Sequence, residues 1–261
     1  MATLDLIIHV FCLVDDRMQG ERKHSQVLLY PSDVVTIGVL FALKGGHVRA
    51  FYRWLKQNHA ALFRGLPDRT RLQRLLKTHQ AWFDRFTADP TFFTVIDSYP
   101  IELIFPIRAG RSPRQVGWKG KDKGRWTVGI KLCWLLNNSG QVIAWDWAPL
   151  TTPDNHFQPL VARFDGQTIT LSATAFHSKD GDPANLKLCP KGTWNERMVV
   201  ETSFSMATVI CDLKRIRHRV VSYIHARLAA VCGMFNLLLT LFHELHPDAD
   251  PAQMSIAEFS L

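Results

Sequence analysis

The residues from Phe92 to Ile96 form a short apolar run that constrains the fold more than any other segment of the chain. The run is continuous rather than alternating, and aromatic and β-branched residues dominate it. Such a run is typical of a strand that is buried on both faces. Because strands of this kind lie inside sheets that helices cover, the run predicts an α/β fold with a mixed sheet flanked by helices.

The segments that follow predict the rest of the sheet. Trp126–Leu136 and Gln141–Trp147 are strand-like, and the turn Asn137–Gly140 between them is typical of a β-hairpin. Thr168–Ala173 is another short strand, which we expect beside Phe92–Ile96 at the centre of the sheet. Two helices complete this region, over residues 195–214 and from about residue 220 to 245.

The first ninety residues predict a helical region. An apolar segment without a basic flank opens the chain and favours a first helix over a signal peptide. Ser32 is placed to cap a second helix that ends at Gly45–Gly46. Two basic helices follow, from His47 to His59 and after Pro67–Asp68. They are compatible with a helix-turn-helix type of DNA-contacting bundle, or with the solvent-exposed faces of a small helical subdomain.

The charge balance of the chain favours a polyanionic partner. There are 31 Lys and Arg residues against 23 Asp and Glu, a net charge of +8. Nucleic acid is expected ahead of a membrane surface. At 47% hydrophobic and 21% charged residues, the composition excludes a disordered, collagen-like or coiled-coil chain.

Cysteine usage and apolar content predict the compartment. The five cysteines include no Cys-x-x-Cys pair, which favours buried thiols in a reducing compartment over disulfides or a zinc site. The longest apolar stretch, Leu228–Phe242, is interrupted by Gly233 and Asn236. It is also shorter than the ~20 residues that a helix needs to span a bilayer. We therefore expect a cytoplasmic protein.

Two carboxylates are candidate catalytic residues. Asp97 follows the apolar run directly, and the ends of sheet strands are common positions for ligand binding. Its alternative role is to cap the turn Ser98–Pro100. Glu201 lies in the helix predicted from Asn195, four residues after Arg197 and therefore on the same helix face. Its alternative role is a surface ion pair with Arg197.

Residues 106–125 predict a polar, glycine-rich and basic loop. Basic side chains crowd this loop and the strand after it, with Asp122 as the one acid among them. The basic residues, all within 24 positions, are Arg108, Arg111, Arg114, Lys119, Lys121, Lys123, Arg125 and Lys131. Trp118 and Trp126 add flat apolar faces that are suited to stacking on bases. The segment favours contacts to DNA phosphates, and a flexible solvent-exposed loop is the alternative.

Four segments occur in an order that resembles bacterial insertion-sequence transposases of the DDE type, which have an RNase H-like catalytic core. The segments are Thr94–Ser98, Gly129–Leu132, Thr151–Asn155 and Asn195–Glu201. The likeness extends from about Asp33 to Leu245. It implies a helical N-terminal region over residues 1–90 for DNA end binding and dimer contacts, an RNase H-like core over residues 91–246 and a tail over residues 247–261.

The resemblance implies a DNA transposase. Such an enzyme would bind the terminal inverted repeats of an insertion sequence as double-stranded DNA, cleave the strands and transfer them to target DNA. A homodimer is expected because two ends have to be brought together. We expect the protein in the bacterial cytoplasm, associated with the nucleoid and not with a membrane. A non-catalytic DNA-binding regulator on the same fold and a stand-alone metal-dependent DNA nuclease are the alternatives.

The active site of the family consists of two Asp and one Glu. By resemblance the first Asp corresponds to Asp97 and the Glu to Glu201, as ligands of two Mg²⁺ ions or of Mn²⁺. Family members carry an aromatic residue and an Arg at fixed offsets before the Glu. Trp194 and Arg197 hold those offsets, with Trp in place of the usual Tyr. Arg197 is expected to orient Glu201 or to contact phosphate, and Trp194 to contact DNA.

One departure from the family concerns the second Asp. The expected acid falls at Ala173, in a segment Leu171–Phe176 that otherwise fits the family pattern. We interpret Ala173 as an inactivating substitution that removes one metal ligand. Asp165, Asp180 and Asp182 are rival candidates for the acid, although they precede or follow the predicted strand.

Overall fold

The computed structural model describes residues 1–111, 113, 115–122, 124–190, 198–214, 216, 220–259 and 261. In these ranges the α-helices are α1 (Thr3–Arg17), α2 (Pro31–Lys44), α3 (Val48–Asn58), α4 (Arg69–Thr78), α5 (Gln158–Ala162), α6 (Met198–Val209) and α7 (Val221–Leu245). The strands are β1 (Phe93–Ile104), β2 (Trp118–Asp122), β3 (Arg125–Asn137), β4 (Val142–Pro149), β5 (Ile169–Ala173) and β6 (Leu186–Cys189).

These six strands form one mixed sheet. Its order is β2-β3-β1-β5-β6, and β4 also pairs with β3. β1 is antiparallel to β3 and parallel to β5, which is in turn parallel to β6. The prediction of a mixed sheet flanked by helices, with the first strand beside the strand at Thr168–Ala173, is confirmed. β3 and β4 form the predicted hairpin around Asn137–Gly140.

The helix α7 is the centre of the hydrophobic core on one face of the sheet. Leu228 of α7 is fully buried in a cluster that also contains Leu6 of α1 and Ile37 of α2. The same cluster includes Trp134 of β3 and Phe259 near the end of the chain. The N-terminal helices and the sheet therefore share one core.

Length and apolar composition alone would allow α7 to cross a membrane, and the same holds for α2 and α3 taken together as one bent segment. In this structure, however, 78% of the apolar window of α7 is buried. A helix that is apolar on all sides is expected at the centre of a protein core. The α/β fold therefore accounts for the apolar character of α7 without a membrane.

Two buried polar side chains of α7 fix its neighbours. The Nδ2 group of Asn236 donates to the carbonyls of Phe86 and Val142 at 2.7 Å each, and its Oδ1 accepts the N–H of Val142 at 2.8 Å. The guanidinium of Arg227 donates to the carbonyl of Phe41, in the last turn of α2. These bonds join α7 to β4 and to the C-terminal end of α2.

The opposite face of the sheet packs against α5 and the turns beside it. Ile96, Cys133, Phe157 and Phe176 are members of the buried cluster on this face. Successive residues of a strand point to opposite faces. Since Val95 belongs to the α7 cluster and Ile96 to the α5 cluster, the side chains of β1 alternate between the two.

The predicted helices of the N-terminal region are present as α1 to α4. The start of α4 after Asp68 is confirmed, because the Asp68 carboxylate accepts two backbone N–H groups of the first turn at 2.9 and 3.1 Å. The expectation that Ser32 caps α2 is wrong. The helix begins at Pro31, and the Asp33 carboxylate accepts the backbone N–H of Tyr30 at 2.8 Å. Proline suits the first helical position because it has no N–H to satisfy there.

The strands and α6 differ from the predictions in four respects. β1 continues for seven residues beyond Asp97, which therefore lies within the strand rather than at its end. Residues 106–125 are not loop throughout, because they contain β2. The short strand β6 was not expected. The helix α6 ends at Val209 rather than at Lys214, and its expected start at Asn195 lies outside the described residues.

Candidate active site and nucleic-acid interface

Asp97 and Ala173 lie on neighbouring parallel strands, each two residues beyond the β1–β5 ladder. That ladder ends with Val95 opposite Leu171. The same offset, carried two residues further along both strands, would bring Ala173 to the level of Asp97. On its other side Asp97 is opposite Trp134 of β3. The position expected for the second acid therefore falls on the strand that neighbours β1.

Asp97 belongs to the face of the sheet that α6 and α7 cover. Val95, two residues earlier in β1, lies in the core on that face, and Tyr99, two residues later, packs against it. Alternation along β5 would give Ala173 the face of Leu171, which lies in the same core. Ala173 is, however, the last residue of β5, and its side chain packs against the cluster on the opposite face.

Glu201 lies in the first turn of α6, the helix that packs against this face of the sheet. Phe204, three residues further on, stacks on Tyr99 with ring centroids 5.4 Å apart and on Trp134 at 4.7 Å. Tyr99 follows Asp97 by two residues on β1. Trp134 is the residue of β3 that lies opposite Asp97 in the β1–β3 ladder. Residues three apart are neighbours on a helix surface. Glu201, whose side chain is exposed, is therefore one turn from the contact that holds α6 beside Asp97.

The residues present do not complete a metal site of three carboxylates. Asp97 and Glu201 supply carboxylate oxygens, whereas Ala173 supplies none. In the described ranges of the chain, no three His, Cys, Asp or Glu side chains are grouped so that they could hold a metal ion. Arg197, Trp194, Arg114 and Lys123 lie outside the described residues.

A network of hydrogen bonds begins at Asp97 and continues through Ser98, the next residue of β1. The Oδ1 atom of Asp97 accepts the N–H of Ser98 at 2.8 Å. The Ser98 hydroxyl donates to Oδ1 of Asp154 at 2.6 Å. The Nζ group of Lys131 donates to the same oxygen and to the carbonyl of Thr152, both at 2.9 Å. The network joins β1, β3 and the turn before α5 around the backbone that carries Asp97.

Sequence reasoning missed this network and gave Lys131 a different role. Lys131 is expected from the sequence to contact DNA, but its ammonium pairs with Asp154, and the two side chains are only 17% and 21% exposed. Its charge is therefore neutralised within the fold. The available signal was the acid of the Thr151–Asn155 turn together with an isolated Lys in an otherwise apolar strand.

Negative charge is concentrated around the middle of β3. Burial raises the pKa of the Cys133 thiol well above its ordinary value, and the carboxylates of Asp97, Asp154 and Asp146 raise it further. A thiol in such surroundings stays protonated and is a poor nucleophile. Cys133 is therefore a structural residue, and the acids near it carry the charge of the site.

The hairpin of β2 and β3 presents a basic and aromatic surface. Trp126 is 54% exposed, and the Nζ atoms of Lys119 and Lys121 lie 5.0 and 5.3 Å from the centre of its ring. Trp126 and Trp134 are eight residues apart on β3, so they share a face of the sheet at a separation of about 26 Å. The hairpin surface thus lies on the same side of the sheet as Asp97. The other described candidates in this segment are also exposed: Arg108, Arg111, Arg125 and Trp118.

The rival acids have other surroundings. Asp182 accepts the backbone N–H of Ser178 at 2.8 Å, and its Oδ2 lies 2.8 Å from Nδ1 of His177. These hydrogen bonds, that of His177 first, lower the pKa of Asp182. Asp182 therefore closes the loop after β5, while Asp165 and Asp180 are exposed in the turns on either side of that strand.

Comparisons of the chain with protein-family models, with curated proteins and with solved structures give no match. What the chain does has to be inferred from its own residues. The features that bear on function are one carboxylate within β1, an alanine at the end of the neighbouring strand β5, and a second carboxylate on the helix that packs against β1.

Proposed function

We propose that the chain is a DNA transposase of the DDE type in which Ala173 replaces the second acid of the active site. The observation that supports the proposal is the parallel pairing of β1 with β5, which sets Asp97 and Ala173 two residues beyond the same ladder, while Glu201 lies one turn from the Phe204 contact. We propose that these three positions, which come from three distant segments, form one active site.

The strand order supports an RNase H-like core. When β2 is set aside, β1 is the first core strand and β5 is the fourth. The family places its first Asp at the end of the first core strand, its second near the end of the fourth and its Glu on a following helix. Ala173 is the last residue of β5 and Glu201 lies on α6, which supports the second and third places. Asp97 lies on the first core strand but seven residues before its end.

The proposal includes Mg²⁺, or Mn²⁺, as the cofactor of a complete site. Two such ions act on the attacking and leaving oxygens of a phosphodiester in sites of this class. They prefer oxygen ligands and few protein carboxylates. Asp97 and Glu201 would be two of these ligands and a carboxylate at position 173 the third. With Ala173 the set is incomplete, so we infer that this chain binds DNA without cleaving it.

The partners in the proposal are double-stranded DNA with terminal inverted repeats, target DNA and a second copy of the chain. The basic and aromatic hairpin surface supports the choice of DNA, because Lys119 and Lys121 supply charge for phosphates and Trp126 supplies a stacking face. Trp126 lies about 26 Å along β3 from Trp134, the residue opposite Asp97. This distance corresponds to roughly eight base pairs of a duplex.

A non-catalytic DNA-binding regulator on the same fold is a second candidate function. Ala173 is the specific observation that favours it, because a regulator needs no metal ligand at this position. A stand-alone nuclease would cleave DNA but would yield no joined products.

The test is cleavage and strand transfer on DNA that carries both flanks of the coding region. The present chain and Ala173→Asp are compared in Mg²⁺. We expect joined products only with Ala173→Asp, at least about 100-fold above the present chain, because loss even of a residue that only supports a metal ligand costs about 10–100-fold. Cleavage without joining would favour the nuclease, and inactivity of both chains would favour the regulator.

Two matched variants control for charge and shape. Ala173→Asn has the shape of Asp without its charge and is expected to stay inactive. Asp97→Asn in the Ala173→Asp background should abolish the restored activity. Equal activity of the present chain and Ala173→Asp would show that another acid serves and that the site is placed wrongly.

A further inference from the structure

One of the two strongly basic segments of the chain comprises α3, α4 and the residues between them. Residues 47–79 contain eight Lys or Arg residues and a single acid, Asp68, an excess of +7. The other basic segment, residues 108–131, has the same excess and includes the hairpin of β2 and β3. A polyanion would therefore meet an attractive potential at α3 and α4 as well as at the hairpin.

The two helices form a groove that is lined with cations. Its lining comprises Arg49, Tyr52, Arg53, Lys56, Gln57, Asp68, Arg69 and Thr70. On α3 the three cations recur at intervals of four and three residues, so they form one row along the helix. With a rise of 1.5 Å per residue the row is about 10 Å long, close to three phosphate steps of one DNA strand.

The groove is held in place by the fold. Phe51 and Leu55 of α3 and Leu72 of α4 are buried, which turns the basic faces of both helices outward. The hydroxyl of Tyr52 donates to the carbonyl of Pro67 at 2.9 Å and so fixes the start of α4 against α3. The cations therefore project from a preorganised surface, which lowers the entropic cost of binding.

The acid in the groove does not neutralise its cations. Asp68 accepts the N–H groups of Thr70 and Arg71, and these hydrogen bonds, that of Arg71 first, hold its pKa below the ordinary value. Its charge is committed to the N-terminus of α4. Within the described part of the chain, the ion pairs are those of Arg85, Lys131 and His177, so none involves a cation of the groove.

We propose that the groove between α3 and α4 binds the sugar–phosphate backbone of duplex DNA. The inference rests on the proposed function for the choice of DNA among polyanions. It assigns to α3 and α4 a sequence-independent contact that is separate from the hairpin of β2 and β3. A second row beside the groove, with Arg71 and Arg74 of α4, extends the basic surface along the same helix.

The test is equilibrium binding of a fluorescently labelled 25-base-pair duplex of arbitrary sequence, at about 50–200 mM salt in EDTA. The full chain is compared with the groove variant Arg49→Gln/Arg53→Gln/Lys56→Gln. Each lost phosphate contact lowers the slope of log affinity against log salt by about 0.9, so three lower it by about 2.7. We expect affinity at the lowest salt to fall by about tenfold or more.

A matched control removes the same charge elsewhere. Arg22, Arg163 and Lys179 are exposed and lie outside the groove, and their triple Gln variant is expected to change affinity less than about threefold. Arg49→Lys/Arg53→Lys keeps the charge and should retain binding. Melting temperatures within a few degrees of the full chain show that each variant is folded.

The outcomes separate this inference from the proposed function. If both triple variants weaken DNA binding equally, the effect is one of general charge. That result would overturn the inference about the groove, even if Ala173→Asp is active. Groove-dependent DNA binding with an inactive Ala173→Asp would support the groove and count against the transposase. The same variants are also tested for binding to anionic phospholipid vesicles. If the groove variant loses vesicle binding while its DNA binding is unchanged, the groove binds a membrane surface and the inference is overturned.

Discussion

The Nζ atom of Lys131 lies 2.9 Å from Oδ1 of Asp154, on the face of the sheet opposite to Asp97. The pair is mostly shielded from water, and Asp154 also accepts the hydroxyl of Ser98. Asp154→Ala would leave a largely buried cation and a hydroxyl without their acceptor. We expect the free energy of unfolding in urea to fall by about 1–3 kcal/mol.

The double variant Lys131→Met/Asp154→Ala tests whether the loss arises from the pair. It removes both charges, so its cost should be clearly smaller than the sum of the two single variants. Additive costs would show that Lys131 and Asp154 are not coupled.

Restoring the acid at position 173 should destabilise the metal-free protein. In Ala173→Asp three carboxylates would approach one another, and like charges repel when no cation is bound. We expect a melting temperature in EDTA slightly below that of the present chain. Addition of Mg²⁺ should raise the melting temperature of Ala173→Asp more than that of the present chain, because a ligand that binds the folded state stabilises it. A higher melting temperature of the Asp variant in EDTA would contradict this expectation.

Asn236→Leu should be among the more destabilising substitutions in α7. Asn236 is 4% exposed and satisfies a backbone N–H and two carbonyls of other segments. Leucine has a similar size but leaves those groups unpaired, at a cost of about 2–4 kcal/mol. Thr240→Val is the matched control, because its hydroxyl bonds only within the helix, and should change stability by less than about 0.5 kcal/mol. Similar losses for both variants would show that the bonds of Asn236 to Phe86 and Val142 are unimportant.

The stability contribution of Asp84 should depend on pH. The Asp84 side chain remains exposed to water on one side, and its partial desolvation raises its pKa above the ordinary value of 3.8, against the lowering effects of His225, Trp145 and Arg163. A raised pKa means that the ionised carboxylate destabilises the folded state. This penalty is complete above the raised pKa and disappears as the pH falls below 3.8. Asp84→Asn should therefore unfold at a slightly higher temperature than the present chain at pH 7, with the difference shrinking as the pH falls through the raised pKa towards 3.8. A constant difference across this range would exclude the ionisation of Asp84 as its cause.

Arg227→Lys should destabilise the contact between α7 and α2. The guanidinium is buried, donates to the carbonyls of Phe41 and Ala42, and lies 4.0 Å from the centre of the Phe41 ring. Burial lowers the pKa of Arg227 to about 10, so it remains charged at neutral pH. Lysine keeps the charge but lacks the planar fork that reaches both carbonyls, and we expect a loss of about 1–3 kcal/mol in urea unfolding. Unchanged stability would show that a point charge is sufficient.

Patterns that depend on local chemistry were predictable from the sequence. Three features were predictable in this way: the apolar run at Phe92–Ile96, the turn at Asn137–Gly140 and the helix start at Asp68. In each, the type of residue suits the local backbone conformation, as Gly140 suits a turn and Asp68 suits a helix start. The pairing of β1 with β5 was also predictable, because two short buried strands are expected to be neighbours at the centre of a sheet.

The length of β1 was not predictable because its second half contains Pro100. Proline is tolerated where its nitrogen faces away from a partner strand. Glu102, two residues further on, donates its N–H to Lys214 and hence away from β3, so the nitrogen of Pro100 also points to the side without a strand. The strand β2 escaped detection for a different reason, since its stability comes from pairing with β3 rather than from apolar side chains.

The resemblance predicts Asp97, Ala173 and Glu201 as site residues, and this stays a prediction. The network of Ser98, Lys131 and Asp154 was not predictable, because it depends on contacts across 56 positions of the chain that no local pattern encodes.

The single core that runs from Leu6 to Phe259 has a consequence for synthesis on the ribosome. Until α7 has left the exit tunnel, the parts of α1 and α2 that pack against α7 stay uncovered and exposed to chaperones and proteases. A messenger truncated upstream of codon 221 would thus yield a polypeptide without the centre of its core, and we expect such a polypeptide to be degraded.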